Sequence, residues 1–160
     1  MMLERTLVLI KPDGVQRGLS GRVIQRFEDV GLKIVGMKMK WIDASFSKTH
    51  YAALVSKPFY PGLEKMITEG PVIAMVLEGL HAVELVRKMV GATEPKSAAP
   101  GTIRGDFAHH SYAATDKEGR SIKNIIHASG TLEESKVEVA LWFGPSELFT
   151  YKTVHEMHVF

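Results

Sequence analysis

One histidine stands out for its surroundings. In the stretch Asn124-Ile125-Ile126-His127-Ala128-Ser129-Gly130, His127 precedes three small residues. Neutral imidazole is abundant near pH 7 and is a good nucleophile. A histidine that accepts a phosphoryl group covalently splits one difficult transfer into two easier ones. The small residues leave working space for such a group, and Ser129 and Glu138 are candidates to orient the ring or its leaving group. Read alone, the stretch fits a packed core histidine better. The cations offer a second reading. Lys11 ends an apolar run just before a turn, Arg87 falls four positions after Val83 at the edge of an apolar helical stripe, and Arg104 sits in "GTIRGDF". Singly, each reads as a surface ion pair or a snorkelling chain. Together with Thr93 they could form a phosphate clamp built from side chains, in which arginine gives planar paired donors and lysine a point charge. Tyr51, Phe59 and Tyr60 cluster around one loop. Phe59 is either core or an exposed ring that stacks a nucleobase, a contact that tolerates any base.

Other chemistries are excluded. There is no cysteine, so disulfides, thiolate catalysis and thiolate zinc sites are impossible. No glycine-rich nucleotide loop, G-x-x-x-x-G-K-[ST] or G-x-G-x-x-G, occurs. His155 and His158 flank Glu156 and can share a helix face, but a metal pair needs further ligands; they read as surface or interface residues of the tail. His109-His110 read as solvated loop residues. A formal charge of +2 on 160 residues argues for neither nucleic acid nor membrane. No apolar run approaches the ~20 residues of a membrane span, and no leader-like apolar region opens the chain. The expectation is a cytoplasmic protein of one domain, residues 1–160.

The elements that must position these groups follow from periodicity. "RTLVLIK" reads as a buried strand stopped by Pro12-Asp13-Gly14. Val23, Phe27 and Val30 lie at helical spacing. Leu32–Ile42 alternates as a half-exposed strand, with Val35, Met37, Met39 and Trp41 on one face and lysines on the other. Two short helices follow, one capped by Asp43 or Ser45 and one beginning near Pro61. "PVIAMVLEG" is a second buried strand, and 81–91 is an amphipathic helix ended by Gly91. The stretch 92–120 is long, rich in Gly, Pro and Ser, and without periodicity, which in a compact domain points to function. "NIIHAS" is a short strand, and Thr131 with Glu134 begins a helix as a capping box. The apolar tail, 151–160, docks on its own domain or on a neighbouring subunit. The order β-α-β-(αα)-β-α-loop-β-α fits an α/β (α+β) ferredoxin-like split βαβ fold, a four-stranded antiparallel sheet with helices on one face. A parallel sheet is the alternative, disfavoured by the polar face of the second strand.

The segments "TLVLIKPDGVQRG", "HYAAL…KPFYPGL", "GPVIAMVLEG", "VRKMVGATEP", "PGTIRGDF", "NIIHAS" and "EVALWF" resemble nucleoside diphosphate kinase nearly end to end. The resemblance implies the ferredoxin-like sheet, Mg²⁺, and γ-phosphoryl transfer from a nucleoside triphosphate to a nucleoside diphosphate through a phosphohistidine. It places His127 as the phosphorylated residue and Lys11, Arg87, Thr93, Arg104 and Asn124 on phosphates and ribose. It places Tyr51 beside the histidine, Phe59 and Leu63 in the base slot, and Ser129 and Glu138 as support for His127. It also implies a symmetric homo-oligomer, a hexamer given the full-length tail. Discrimination among bases is expected to be weak.

Two departures stand out. Gly130 replaces the aspartate usual in the family, removing a carboxylate that can help hold Mg²⁺ through water, so no protein metal ligand is expected. The segment 108–123, "AHHSYAATDKEGRSIK", is longer than the family's link, and Ser121 or Ile122 would complete the base slot. Two other classes fit the residues less well. A non-enzymatic nucleotide-binding module would be expected to lose the nucleophile or the clamp, and this chain keeps both. A single-stranded nucleic-acid binder would carry an aromatic reading strand and more positive charge.

Overall fold

The computed structural model describes residues 3–159. Its centre is a four-stranded antiparallel sheet in the order β2-β3-β1-β4, formed by β1 (Leu3–Ile10), β2 (Lys33–Lys40), β3 (Val72–Leu80) and β4 (Ile126–Ala128). This is the expected ferredoxin-like sheet. The helices, expected on one face, cover both. The cause lies in the central strands, which are apolar on both sides. Along β1, Val8 and Ile10 enter one core cluster while Leu7 and Leu9 enter the other, and all four are fully buried. Side chains alternate across a strand, so an unbroken apolar run needs two covers. One cover is α2 (Ser20–Asp29) with α5 (Ala82–Val90), through Val23, Phe27, Val86 and Val90. The other is α4 (Tyr60–Thr68) with α8 (Leu132–Trp142), through Leu63, Met66, Ile67 and Trp142.

The edge strand β2 departs from its sequence pattern. Its register shifts between Ile34 and Gly36, so the alternation changes hands there. Val35 is buried as expected, but Met37, Met39 and Trp41 are 54%, 60% and 66% exposed. The lysines turn inward instead: Lys38 lies 4.7 Å from the centre of the Phe143 ring and Lys40 lies 3.6 Å from that of Phe46. The tail closes the first half of this edge on its own chain. Phe149 N–H donates to the Val35 carbonyl (2.8 Å), Tyr151 O–H donates to the Ile34 carbonyl (2.6 Å), and Lys33 pairs with Glu156 at 3.0 Å.

Three local features position the site. Pro12-Asp13-Gly14, expected to be a turn, opens the short helix α1 (Pro12–Gln16). Ile125 has φ +72° and sits in a tight turn closed by the Ile126 N–H to the Asn124 carbonyl at 2.8 Å. A β-branched residue at positive φ is strained, at a cost of roughly 1–3 kcal/mol. The turn is held from both sides: Asp13 accepts from Ile125 N–H (3.0 Å), and Lys11 N–H donates to the Ile125 carbonyl (2.7 Å). Finally, the long loop carries two short helices, α6 (Ile103–Phe107) and α7 (Tyr112–Asp116), each capped by its own hydroxyl, Thr102 and Ser111. The 108–123 segment leans on α4: a side chain at Gly62 would meet the Ser121 backbone at 3.3 Å.

Candidate active site

His127 lies opposite Leu9 in the β1–β4 pairing and lines a cavity of about 530 Å³. Its Nε2 is 3.0 and 3.2 Å from the two carboxylate oxygens of Glu138, which α8 brings alongside. Ser129 O–H donates to the same carboxylate at 2.5 Å, while Ser129 Oγ accepts from Leu7 N–H at 3.3 Å. Burial alone would raise the Glu138 carboxyl, but the hydrogen bonds from His127 and Ser129 hold it below its ordinary value. Glu138 is therefore an acceptor, so the proton of the neutral His127 ring sits on Nε2. The lone pair is left on Nδ1.

The cations meet as the sequence predicts. Lys11, Arg87, Arg104, Thr93 and Asn124 all line the His127 cavity. Lys11 Nζ donates to Asn124 Oδ1 at 2.8 Å, and Asn124 Nδ2 donates to the Thr93 carbonyl at 2.9 Å. Arg104 is buried and donates to the backbone carbonyls of Asn124 (3.2 Å), Gly91 (3.1 Å) and Ile126 (2.6 Å). Desolvation, with the charge of Arg104, lowers Lys11 to about 8. Desolvation, with Arg87, lowers Arg104 to about 10. Cations that depress one another inside a cavity favour an anion there. Arg87, at the edge of its helical stripe, is exposed toward the cavity mouth.

The aromatic end differs. Tyr51 is buried with its ring 6.2 Å from that of His127, its hydroxyl has no hydrogen-bond partner among the described residues, and burial pushes its phenol far above the ordinary range. Phe59 is 57% exposed and lines the same cavity as the buried Leu63. Sequence reasoning missed His50. It ends α3 (Ala44–His50), its ring is 4.8 Å from that of His127 at 79°, and its Nδ1 accepts from Trp142 Nε1–H at 3.1 Å. One ring nitrogen each of His50 and His127 and an oxygen of Glu138 lie within 4.8 Å of one another. They do not make a ready cation site. Trp142 takes the His50 lone pair and Glu138 faces the protonated nitrogen of His127.

Comparison with known proteins decides the family. The family model for nucleoside diphosphate kinase matches residues 4–148. The chain is 56% identical over 148 residues to the nucleoside diphosphate kinase of Pyrococcus horikoshii, covering 92% of this chain and 90% of that protein. It is 53% identical over 146 residues to that of Thermus thermophilus, covering 91% and 99%. A solved structure from Borrelia burgdorferi, a transition-state mimic of nucleoside-diphosphate kinase with bound vanadate and ADP, is 46% identical with a TM-score of 0.96. That match covers 99% of this chain and 98% of the other. The chain belongs to the nucleoside diphosphate kinase family. The reaction is phosphoryl transfer between nucleotides.

Against that family, the two departures acquire a place in the cavity of this kinase. Among the loop residues, Tyr112, Thr115, Asp116, Arg120, Ser121 and Ile122 line the cavity, so the long loop forms part of its wall. Ile122 is 9% exposed. At Gly130, the Glu134 carboxylate folds back to accept the Gly130 N–H at 2.9 Å. A Cβ added at Gly130 would lie 2.7 Å from Glu134 Oε2. Half of the expected capping box forms, with Thr131 Oγ1 accepting from Glu134 N–H at 3.1 Å, while the glutamate reaches one residue further back.

Proposed function

We propose that this kinase works by a two-step exchange through His127. The observation that carries the reading is the pairing of His127 Nε2 with Glu138, which leaves Nδ1 as the nucleophile in a cavity lined by Lys11, Arg87 and Arg104. In the first step the Nδ1 lone pair forms the N–P bond to the γ-phosphorus. The bond from phosphorus to the bridging oxygen breaks, and its electrons leave with the nucleoside diphosphate. No proton need move. The ring becomes cationic as it is phosphorylated, and Glu138 stabilises that charge. A second nucleoside diphosphate reverses the step. Phosphoryl transfer is loose and depends on positioning and charge, which the three cations supply. Thr93 and Asn124 hold phosphate and ribose, and Tyr51 places its free hydroxyl beside the transferring group. Phe59, Leu63 and Ile122 hold the base by apolar contact, so base specificity is low.

Mg²⁺ fits the site as a guest of the phosphates. The clamp offers N–H donors, which repel a cation, and the Glu138 carboxylate is already committed to two donors. When bound, Mg²⁺ neutralises phosphate charge. Glu134, lying where a side chain at position 130 would go, is the carboxylate able to receive its water shell. We read 1–160 as one domain and the assembly as a homo-oligomer, a hexamer by family resemblance. The outward row Met37, Met39 and Trp41 and the exposed Val154 and Met157 support association. No described helix is long and apolar enough to cross a membrane.

The test is incubation with γ-labelled ATP and no acceptor. It should leave an acid-labile, base-stable label at His127 that any nucleoside diphosphate discharges. Label or turnover surviving in His127→Ala would end this reading.

A further inference from the structure

The half-buried ring of His50 has a role that the clamp and the nucleophile do not explain. It packs against three rings. His127 of β4 stands at 4.8 Å, edge to face. Its neighbour Tyr51 stands at 4.4 Å, and Trp142 of α8 at 5.5 Å and 89°. Its Nδ1 accepts the Trp142 indole N–H. A neutral imidazole carries one N–H, so this bond fixes the proton on Nε2. That Nε2 is buried and has no hydrogen-bond partner among the described residues. The charged groups that act on the ring are His127, Glu138 and Lys11. On the far side of Trp142 stands a cation, with Lys40 5.8 Å from the indole centre.

The neighbourhood has one carboxylate and two imidazoles. A protonated His50 would compete with His127 for Glu138. That competition would be worst when His127 becomes cationic on phosphorylation. We propose that His50 is a positioning residue: Trp142 locks it in the uncharged Nε2–H tautomer, so that it braces the His127 ring and leaves the Glu138 carboxylate to His127 alone. This inference rests on His127 being the phosphoryl carrier. The geometry is assisted by electrostatics, since burial, then the charge of His127, lowers His50 to about 3. An indole donor to Nδ1 adds to this by favouring the neutral form. Trp142 is itself fixed by Phe46, edge to face at 4.8 Å.

The first measurement uses the unaltered protein and does not depend on activity. Imidazole ¹⁵N shifts should show His50 as the Nε2–H tautomer, unchanged from pH 5 to pH 8. Nδ1–H, or titration in that range, would overturn the proposal. The second measurement is the pH profile of kcat/KM. Trp142→Phe keeps the ring packing but frees Nδ1, so His50 gains a proton more readily. The acid limb should move up by about one pH unit. In the double variant Trp142→Phe with His50→Gln, which cannot titrate at this position, the limb should return to its original pH whatever the rate. A purely structural role would lower the rate further and leave the limb of both variants in place, and that result would sink the idea. A failure of Trp142→Phe to fold leaves the ¹⁵N measurement to decide. Absence of any phosphoenzyme on His127 refutes the phosphohistidine reading instead and would be seen separately by labelling.

Discussion

The two ends of the cavity are built on opposite principles. At the end proposed for the phosphates nearly every polar group is tied. Lys11 holds Asn124, Asn124 holds Thr93, Arg104 holds three carbonyls, and Ser129 and His127 share Glu138. At the end proposed for the base the wall is Phe59, Leu63 and Ile122, with Phe59 standing 57% exposed. The first end fixes where charge must be. The second offers area without direction. An enzyme that must treat many bases alike needs that division, because hydrogen bonds discriminate while stacking does not.

The largest effects should come from loosening the tied end. Lys11→Ala should lower kcat by about 10²–10³, the range for removing one preorganised donor from a developing charge. Steady-state kinetics with the phosphoenzyme step resolved by rapid mixing would check it. A loss confined to KM would show that Lys11 binds the ground state and transition state equally. Glu138→Gln should cost less, about 10–10² in kcat, because the amide still accepts from His127 but cannot offset a cationic ring. Its phosphoenzyme should also form more slowly than it discharges, measured in single-turnover mode.

The tied end also sets a pH limit. Lys11 is lowered to about 8 by desolvation and by Arg104. Below that pH it is charged and attracts phosphate; above it the charge is lost. The basic limb of kcat/KM for the free enzyme should therefore fall from about pH 8. Bound phosphate restores the charge, so the limb of kcat should lie at higher pH. Lys11→Arg should abolish the limb near 8, since guanidinium stays charged. Coincident limbs in the two variants would assign the titration to another group.

What was legible in the sequence divides along the same line. His127, Lys11 and Arg87 stand out in the sequence because each is a polar residue at or beside an apolar pattern; the residues proposed as nucleophile and clamp line one cavity, and Ser129 and Glu138 are bonded beside His127. The central strands were readable as continuous apolar runs, though a run does not say that both sides need helices. His50 was invisible because its partner, Trp142, is 92 residues away and its own segment is polar. Ile125 gives no signal either, since a β-branched residue is not a marker of positive φ. The outward turn of Met37, Met39 and Trp41 depends on the register shift before Gly36. A Cβ at Gly36 would meet Leu148 at 2.9 Å, so Leu148 closes on this strand only because glycine stands there. Periodicity cannot carry such a contact. The Glu134 carboxylate under Gly130 is a similar case, a replacement that only the folded helix start displays.

The smallest effects belong to the open end, and they sharpen the contrast most. Phe59→Ala removes the exposed stacking face, worth about 1–3 kcal/mol per base in sequence-tolerant sites. KM should rise by about five- to a hundred-fold, equally for purine and pyrimidine diphosphates, with kcat nearly unchanged. Ile122→Ala should raise KM only a few-fold, because one face of a shared slot is trimmed at about 25 cal/mol per Å². The comparison of the two variants across four bases is the informative measurement. If Ile122→Ala selectively weakens one base, the long loop reads base edges through its neighbours Asp116, Arg120 or Ser121, which line the same wall. The open end would then be directional too, and the division between the ends would fail. Uniform losses would mean that the loop, for all its length, adds area to the slot and no discrimination.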